Sequence, residues 1–227
     1  MRSPSVVCLS AAIAVGLAIA AVAAAPAQTP EPDAGILMHP DSPEFTRRAP
    51  ERFTVQLDTT KGAIAIDMHR DWSPLGADRF YNLVRTGYYD QVRFHRVAKD
   101  KWAQFGINGA PAIAKAWRGT TFPDDPFVQS NVRGTVAFAF AVKDGRTTQV
   151  FINLIDNSAT HDKEPFTPFG KITDTTMAVI DALNSEYGET SGGGIRAGRQ
   201  DVVFDGGNVF LNEKFPRLDY IRTARIQ

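Results

Sequence analysis

The sequence predicts a mainly β fold, a closed eight-stranded antiparallel barrel capped by two α-helices. Three observations carry that prediction. Beyond residue 52, apolar and polar side chains alternate with period two in a series of short segments. Apolar residues follow a helical period at only two separated places. The strands are thus not interleaved regularly with helices, which disfavours a parallel βαβ arrangement, whereas closing an antiparallel sheet leaves no strand edge open.

At the N-terminus, Arg2 is the only charge before Glu31, and residues 6–25 are almost wholly apolar. The run ends in Ala25-Pro26-Ala27, which places small residues around a cleavage point before Gln28. This is the pattern of a secretory signal peptide, residues 1–27, and it predicts an exported protein, periplasmic or secreted, with no stable membrane insertion after the leader is removed. A retained anchor is the alternative, since about twenty apolar residues can span a bilayer. The one cysteine, Cys8, lies in this leader, so no disulfide framework or Cys-rich zinc site is available. Five prolines (Pro30, Pro32, Pro40, Pro43 and Pro50) then mark residues 28–51 as a linker, because proline at that density blocks helices and sheet ladders. Within it, Ile36-Leu37-Met38 and Phe45 are candidates to dock on the domain at 52–227.

In that domain Phe53, Val55 and Leu57 alternate with polar residues, as do Ile64, Ile66 and Met68 after Thr60-Lys61-Gly62, which reads as a β-hairpin. Ser73-Pro74 suits the N-cap and first position of a helix, whose face carries Ala77, Phe80, Leu83 and Val84 and which Gly87 closes. Short strands follow at 92–97, 102–107, 134–141, 149–154 and 167–172. Asp174 caps a second helix with Met177, Ile180, Leu183 and Tyr187 on one face. Residues 188–218 read as an irregular, glycine-rich insertion, and 220–226 as a closing strand.

Lys and Arg total 25 and Asp and Glu total 25, so the net charge is +0 and binding to nucleic acid through its phosphates is not expected. The 43% apolar content, with 15 Phe, 5 Tyr and 3 Trp, is that of a chain that folds. No phosphate loop or nucleophile elbow occurs. Gly192-Gly193-Gly194 with Gly198 lacks the flanking strand and helix of a dinucleotide site. The histidines (His39, His69, His95, His161) show no metal-binding spacing, so neither a metal nor a cofactor is expected. His161-Asp162-Lys163-Glu164 reads as a solvated loop, and Asp124-Asp125 between two prolines as a turn. Any reaction catalysed here should need no nucleophile, metal or phosphate cradle.

Phe94-His95-Arg96-Val97, Gln104-Phe105-Gly106, Gln149-Val150-Phe151-Ile152 and Phe169-Gly170-Lys171 occur in that order. Ser73-Pro74, Gly87-Tyr88-Tyr89-Asp90 and Arg133-Gly134-Thr135-Val136-Ala137-Phe138-Ala139 add to the set. Together they resemble the cyclophilin family of peptidyl-prolyl cis-trans isomerases, from about residue 53 to 183 and again at 220–226, with exported bacterial members the closer comparison. The resemblance implies an eight-stranded antiparallel barrel with two helices, the architecture already reached from periodicity. It also implies a chemistry without bond breaking. Amide resonance imposes a barrier of about 18–20 kcal/mol, and a catalyst must bind the twisted amide better than either planar form. An apolar cup for the proline ring, a donor to the prolyl nitrogen and polar groups for the flanking peptide suffice.

On this resemblance Arg96 is the catalytic donor, a permanently charged fork, and Gln104 positions it. Phe151 is the floor of the cup and Gln149 a peptide-binding amide; two residues apart, they share one strand face. Trp102 matches an apolar cup position, and Ala139 and Phe140 match the strand whose backbone pairs with substrate. His95 matches a structural histidine. Several positions depart from the family pattern. Lys101 stands where a cup phenylalanine is usual, Phe140 replaces asparagine, His161 stands where leucine lines the cup, and Phe166 where histidine or an aromatic lies. The expected function is isomerisation of X-Pro bonds in exported polypeptides by a monomer. The alternative is a cyclophilin-shaped peptide-binding or chaperone module with little or no turnover.

Overall fold

Two strands joined by a two-residue turn set the frame, β1 (Arg52–Thr59) and β2 (Gly62–His69), paired from Arg52↔His69 to Thr59↔Gly62. Gly62 takes a φ of 126° at the turn, a conformation that favours glycine. Val55, Leu57, Ile64, Ile66 and Met68 are fully buried, so the period-two face is the core face. The computed structural model describes Met1 and residues 35–164, 166–192 and 200–227. Apart from Met1, the expected signal peptide (1–27) lies outside the described residues, as does the first part of the expected linker.

Eight strands form one sheet in which every pairing is antiparallel, in the order β3-β4-β6-β5-β7-β2-β1-β8. The remaining strands are β3 (Arg96–Ala98), β4 (Trp102–Phe105), β5 (Thr135–Phe138), β6 (Val150–Asn153), β7 (Pro168–Ile172) and β8 (Ile221–Ile226). The sheet curls until its two ends meet beside β3. A bridge between Arg93 and Tyr220 joins them, with Phe94 N–H donating to Asp219 O (2.9 Å) and Ile221 N–H to Val92 O (2.9 Å). The expected strand at 92–97 is therefore split: a single bridge at Arg93, then a short ladder from Arg96. Inside the curl sit Phe80, Phe94, Phe105, Phe138 and Phe169, all fully buried.

Helix α1 (Pro74–Arg85) starts and stops as its sequence directs. Gly87, at φ 76°, ends it in a Schellman turn, with Tyr88 N–H bonded to Leu83 O (2.9 Å) and Gly87 N–H to Val84 O (3.1 Å). Its cap comes from elsewhere. The Ser73 hydroxyl donates to Asp125 (2.6 Å), and Asp125 itself accepts from Leu75 N–H (3.1 Å) and Gly76 N–H (2.9 Å). Asp125, expected only as part of a turn, is thus the anion at the positive end of this helix.

Two helices were expected, and the described residues hold five α-helical segments. α2 (Pro111–Arg118) buries Ile113, Ala114 and Trp117. α3 (Ser158–His161) is a single turn. α4 (Met177–Asp181) follows a 3-10 turn at Asp174–Thr176 and is shorter than the expected second helix. Ile180 and Leu183 reach the main core, but Tyr187 packs on Phe215 instead (centroids 5.2 Å apart). α5 (Asp201–Lys214) lies inside the stretch expected to be irregular. The glycines there do break it, since Gly207 is non-helical (φ 52°, ψ −145°), yet apolar burial holds both halves. Val203, Phe204 and Leu211 join Ile107, Ala114 and Leu218 in a second, smaller apolar cluster.

The segment from residue 36 to residue 49 packs on α1 and α2 through two 3-10 turns, Ile36–Met38 and Pro43–Phe45. Leu37 is buried and its carbonyl accepts from Trp117 Nε1 (2.8 Å), while the Phe45 ring meets Trp117 edge-on at 4.6 Å. Ala49 N–H donates to Asp78 (2.8 Å) and Asn82 Nδ2 to Arg47 O (2.7 Å).

Candidate active site

Strands β3, β4 and β6 lie side by side, with Arg96 opposite Gln104 and Gln104 opposite Phe151. Residues directly opposite across antiparallel strands point to the same face. Period two then adds Trp102 on β4 and Gln149 just before β6 to that face. The side chains bond accordingly. Arg96 Nη1 donates to Gln104 Oε1 (2.7 Å), and Gln104 Nε2 to Gln149 Oε1 (2.8 Å). Gly106 lets the two strands come this close: at φ 114°, a Cβ there would collide with the Thr148 carbonyl and lie 2.7 Å from Gln149 Cα.

Beside these polar groups is a cluster of rings. Phe151 meets His161 (5.3 Å) and Phe166 (5.3 Å) edge-on, His161 and Phe166 lie 4.9 Å apart, and Trp102 is 5.5 Å from His161. Phe140 joins from the strand end, 4.4 Å from Phe166, with the Arg146 guanidinium 4.5 Å from its own ring centre. The Arg96 guanidinium lies 5.1 Å from the Trp102 ring centre, within cation–π range. Ala139 offers backbone, its N–H donating to Gln149 O (2.9 Å). These contacts bring the residues expected at the site into one cluster, with Arg96, Trp102, Gln104, Gln149 and Phe151 on the sheet face and His161, Phe166, Phe140 and the Ala139 backbone around it. Lys101, in the place of a cup phenylalanine, is exposed, with its ammonium 5.6 Å from the Trp102 ring centre.

His161 is carried into the ring cluster by a polar scaffold. Asn157 Nδ2 donates to Asn153 Oδ1 (2.7 Å), Asn153 Nδ2 to Thr135 Oγ1 (2.9 Å) and Asn131 Nδ2 to Asp162 Oδ1 (2.9 Å). Asn131 Nδ2 also bonds Phe166 O (2.8 Å), so one asparagine tethers both sides of the turn. The residues 161–164 are therefore not simply a solvated loop. Burial among the rings pushes the His161 pKa below its ordinary value, against the opposing pull of Glu164 and Asp162, which favours the neutral ring in an apolar setting. Among the described residues no group of three or more His, Cys, Asp or Glu side chains is placed to hold a metal.

The cyclophilin-type peptidyl-prolyl cis-trans isomerase/CLD family model matches residues 54–203, well over half of the chain. The chain is a cyclophilin. Its activity class is accordingly peptidyl-prolyl cis-trans isomerisation. It is 34% identical over 127 residues to peptidyl-prolyl cis-trans isomerase-like 1 of Rhizopus delemar, a match covering 55% of this chain and 76% of that protein. A peptidyl-prolyl cis-trans isomerase of Acinetobacter baylyi is 30% identical over 142 residues, covering 59% of this chain and 75% of that one. Among solved structures, a Cryptosporidium parvum cyclophilin-type isomerase has the same fold, with a TM-score of 0.55 at 16% identity over 78% of this chain and 98% of that one. A second structure of it, in the presence of the dipeptide Ala-Pro, gives a TM-score of 0.54 at 17% identity over 77% and 98%.

Two residues that sequence reading left out complete this cyclophilin's polar network. Glu189 Oε1 accepts from Arg96 Nη2 (2.6 Å), and Gln200 exchanges amide hydrogen bonds with Gln149 (2.9 and 3.2 Å). Both come from the stretch read as irregular insertion, and their partners are 93 and 51 residues away in sequence. No local pattern signals a pair at that separation.

His95, next to Arg96 on the chain, is wholly buried, and burial first, then the Arg96 charge, pushes its pKa down from 6.5 to about 4. In the unfolded chain it binds a proton near pH 6.5, whereas in the fold it resists until about 4. The stability this provides is complete above about pH 6.5 and is lost progressively as pH falls toward 4, a change of roughly 3 kcal/mol. Urea unfolding at pH 7, 5.5 and 4.5 should show that slope, and His95→Gln should flatten it. Equal slopes for the two proteins would remove His95 as the cause.

Proposed function

We propose that this cyclophilin is exported and speeds X-Pro isomerisation in exported polypeptides, with Arg96 as the donor that recognises the twisted amide. One observation carries the reading: a guanidinium held by Gln104 stands on the same sheet face as the Phe151, His161 and Phe166 rings. In a planar amide the prolyl nitrogen lone pair is delocalised into the carbonyl, and it becomes a hydrogen-bond acceptor only as the bond twists. A fixed cationic donor at that nitrogen therefore stabilises the transition state more than either ground state. The rings would take the pyrrolidine, and Gln149 with the Ala139–Phe140 backbone would hold the flanking peptide. Nothing is broken or transferred, so no cofactor is required. Export rests on the apolar run at 6–25 and the Ala25-Pro26-Ala27 site.

The test is cis-trans exchange of a short X-Pro peptide, followed by protease coupling or NMR, using protein that begins at Gln28. Catalytic acceleration is expected. Peptide binding without faster exchange would favour the binding-module reading, and neither binding nor acceleration would overturn both. Fractionation of cells expressing the full chain should find a product starting at Gln28 outside the cytoplasm; an uncut membrane-bound product would favour the anchor.

A further inference from the structure

The stretch from residue 188 to residue 192 lies along β3, the edge strand of the sheet that carries Arg96. Val97 N–H donates to Gly188 O (3.1 Å), and the buried Ser191 hydroxyl donates to His95 O (2.6 Å). Glu189 stands between those two anchors. Gly192 allows the close approach, since a Cβ there would sit 3.1 Å from Arg96 Cβ. The Glu189 carboxylate meets Arg96 Nη2 at 2.6 Å while Gln104 holds Nη1, and both members of the pair are mostly covered, with side-chain exposures of 12% for Arg96 and 19% for Glu189. A planar guanidinium held through two different nitrogens has its plane and its direction fixed.

We propose that Glu189 is a positioning residue for Arg96, supplied by a segment outside the barrel strands. The proposal rests on the donor role given to Arg96 above. Gln200 does the corresponding work at the other end, bonding Gln149 (2.9 Å), so the chain of contacts Glu189–Arg96–Gln104–Gln149–Gln200 is held at both ends from beyond the barrel. The geometry favours positioning over blockade, because the carboxylate and the glutamine act on one guanidinium without parting it from Gln104.

The experiment is a cycle of Glu189→Gln, Glu189→Ala, Arg96→Ala and the double variant Glu189→Ala/Arg96→Ala, with kcat and KM for an X-Pro peptide and the melting temperature of each. Glu189→Ala is expected to lower kcat about tenfold with little change in KM, the equivalent of about 1.4 kcal/mol. Glu189→Gln should lose less, and Glu189→Ala should cost nothing further once Arg96 is gone. A kcat unchanged or raised by Glu189→Ala, or an equal loss in the Arg96→Ala background, would overturn the proposal. A second readout needs no activity. In protein with 15N-labelled arginine, the Arg96 Nη signals should show restricted rotation that is lost in Glu189→Ala. If the wild type fails to isomerise but keeps that restriction, the donor role falls and the pairing stands; if the restriction does not depend on Glu189, the pairing itself falls.

Discussion

Arg96→Ala is expected to lower kcat/KM for an X-Pro peptide by about 100-fold or more. A preorganised donor aimed at a charge or lone pair that develops only in the transition state is worth roughly 3–4 kcal/mol, and each 1.4 kcal/mol is about tenfold. The side chain reaches away from the barrel core that its neighbours Phe94 and Val97 fill, so the fold should survive. The structural cost falls on the Glu189 carboxylate and on the buried Gln104 Oε1, which both lose the Arg96 donor. Arg96→Lys separates charge from geometry: it keeps the cation but replaces the two-nitrogen fork with one point donor. It should recover only part of the loss. Isomerisation rates equal to wild type in Arg96→Ala would remove the guanidinium from the mechanism and leave the rings as a binding surface.

Trp117→Ala is expected to cost about 3–5 kcal/mol of stability, the range for deleting a buried aromatic, and to lower the melting temperature by roughly 10 °C. The indole is fully buried. It meets Phe45 and Tyr88 edge-on (4.6 and 5.5 Å), lies under the Arg79 guanidinium (5.4 Å) and donates to the Leu37 carbonyl. Its loss leaves a void between α1, α2 and the 36–45 segment and strands that carbonyl. Denaturant unfolding measures the change directly. Because Trp117 contributes nothing to the ring cluster around Phe151, isomerase rates measured well below the transition should match wild type. A loss under about 1 kcal/mol would mean that the N-terminal segment does not pack there.

The hairpin of β1 and β2 and the course of α1 were legible because the relevant forces are local. Period two put Val55, Leu57, Ile64 and Ile66 on one face, and Gly87 supplied the left-handed stop. The cap of α1 was not legible, since Asp125 arrives from 50 residues away. Helix α2 has only eight residues, and its buried face is split between the main core, through Ile113 and Trp117, and the small cluster shared with α5, through Ala114. α5 was misread because its glycines argue against a helix and only tertiary contact outweighs them. At the site, the motifs around Arg96, Gln104, Gln149 and Phe151 were readable through their resemblance to cyclophilins, and strand periodicity correctly placed Gln149 with Phe151 and Trp102 with Gln104 on shared faces. Glu189 and Gln200 escaped because an ion pair and an amide pair at long sequence separation leave no period and no motif.

The division of apolar side chains into a large cluster that fills the barrel and extends under α1, α2 and residues 36–45, and a small one between α2 and α5, bears on how this cyclophilin would lose function under stress. Regions with few apolar contacts open at lower free energy than the global transition, as cooperative units. Gln200, next to α5, would leave with the smaller unit, and one end of the contact chain running to Arg96 would go with it. Warming would then lower the isomerase rate while the barrel strands still resisted hydrogen exchange, so the fall in activity would begin before the melting transition.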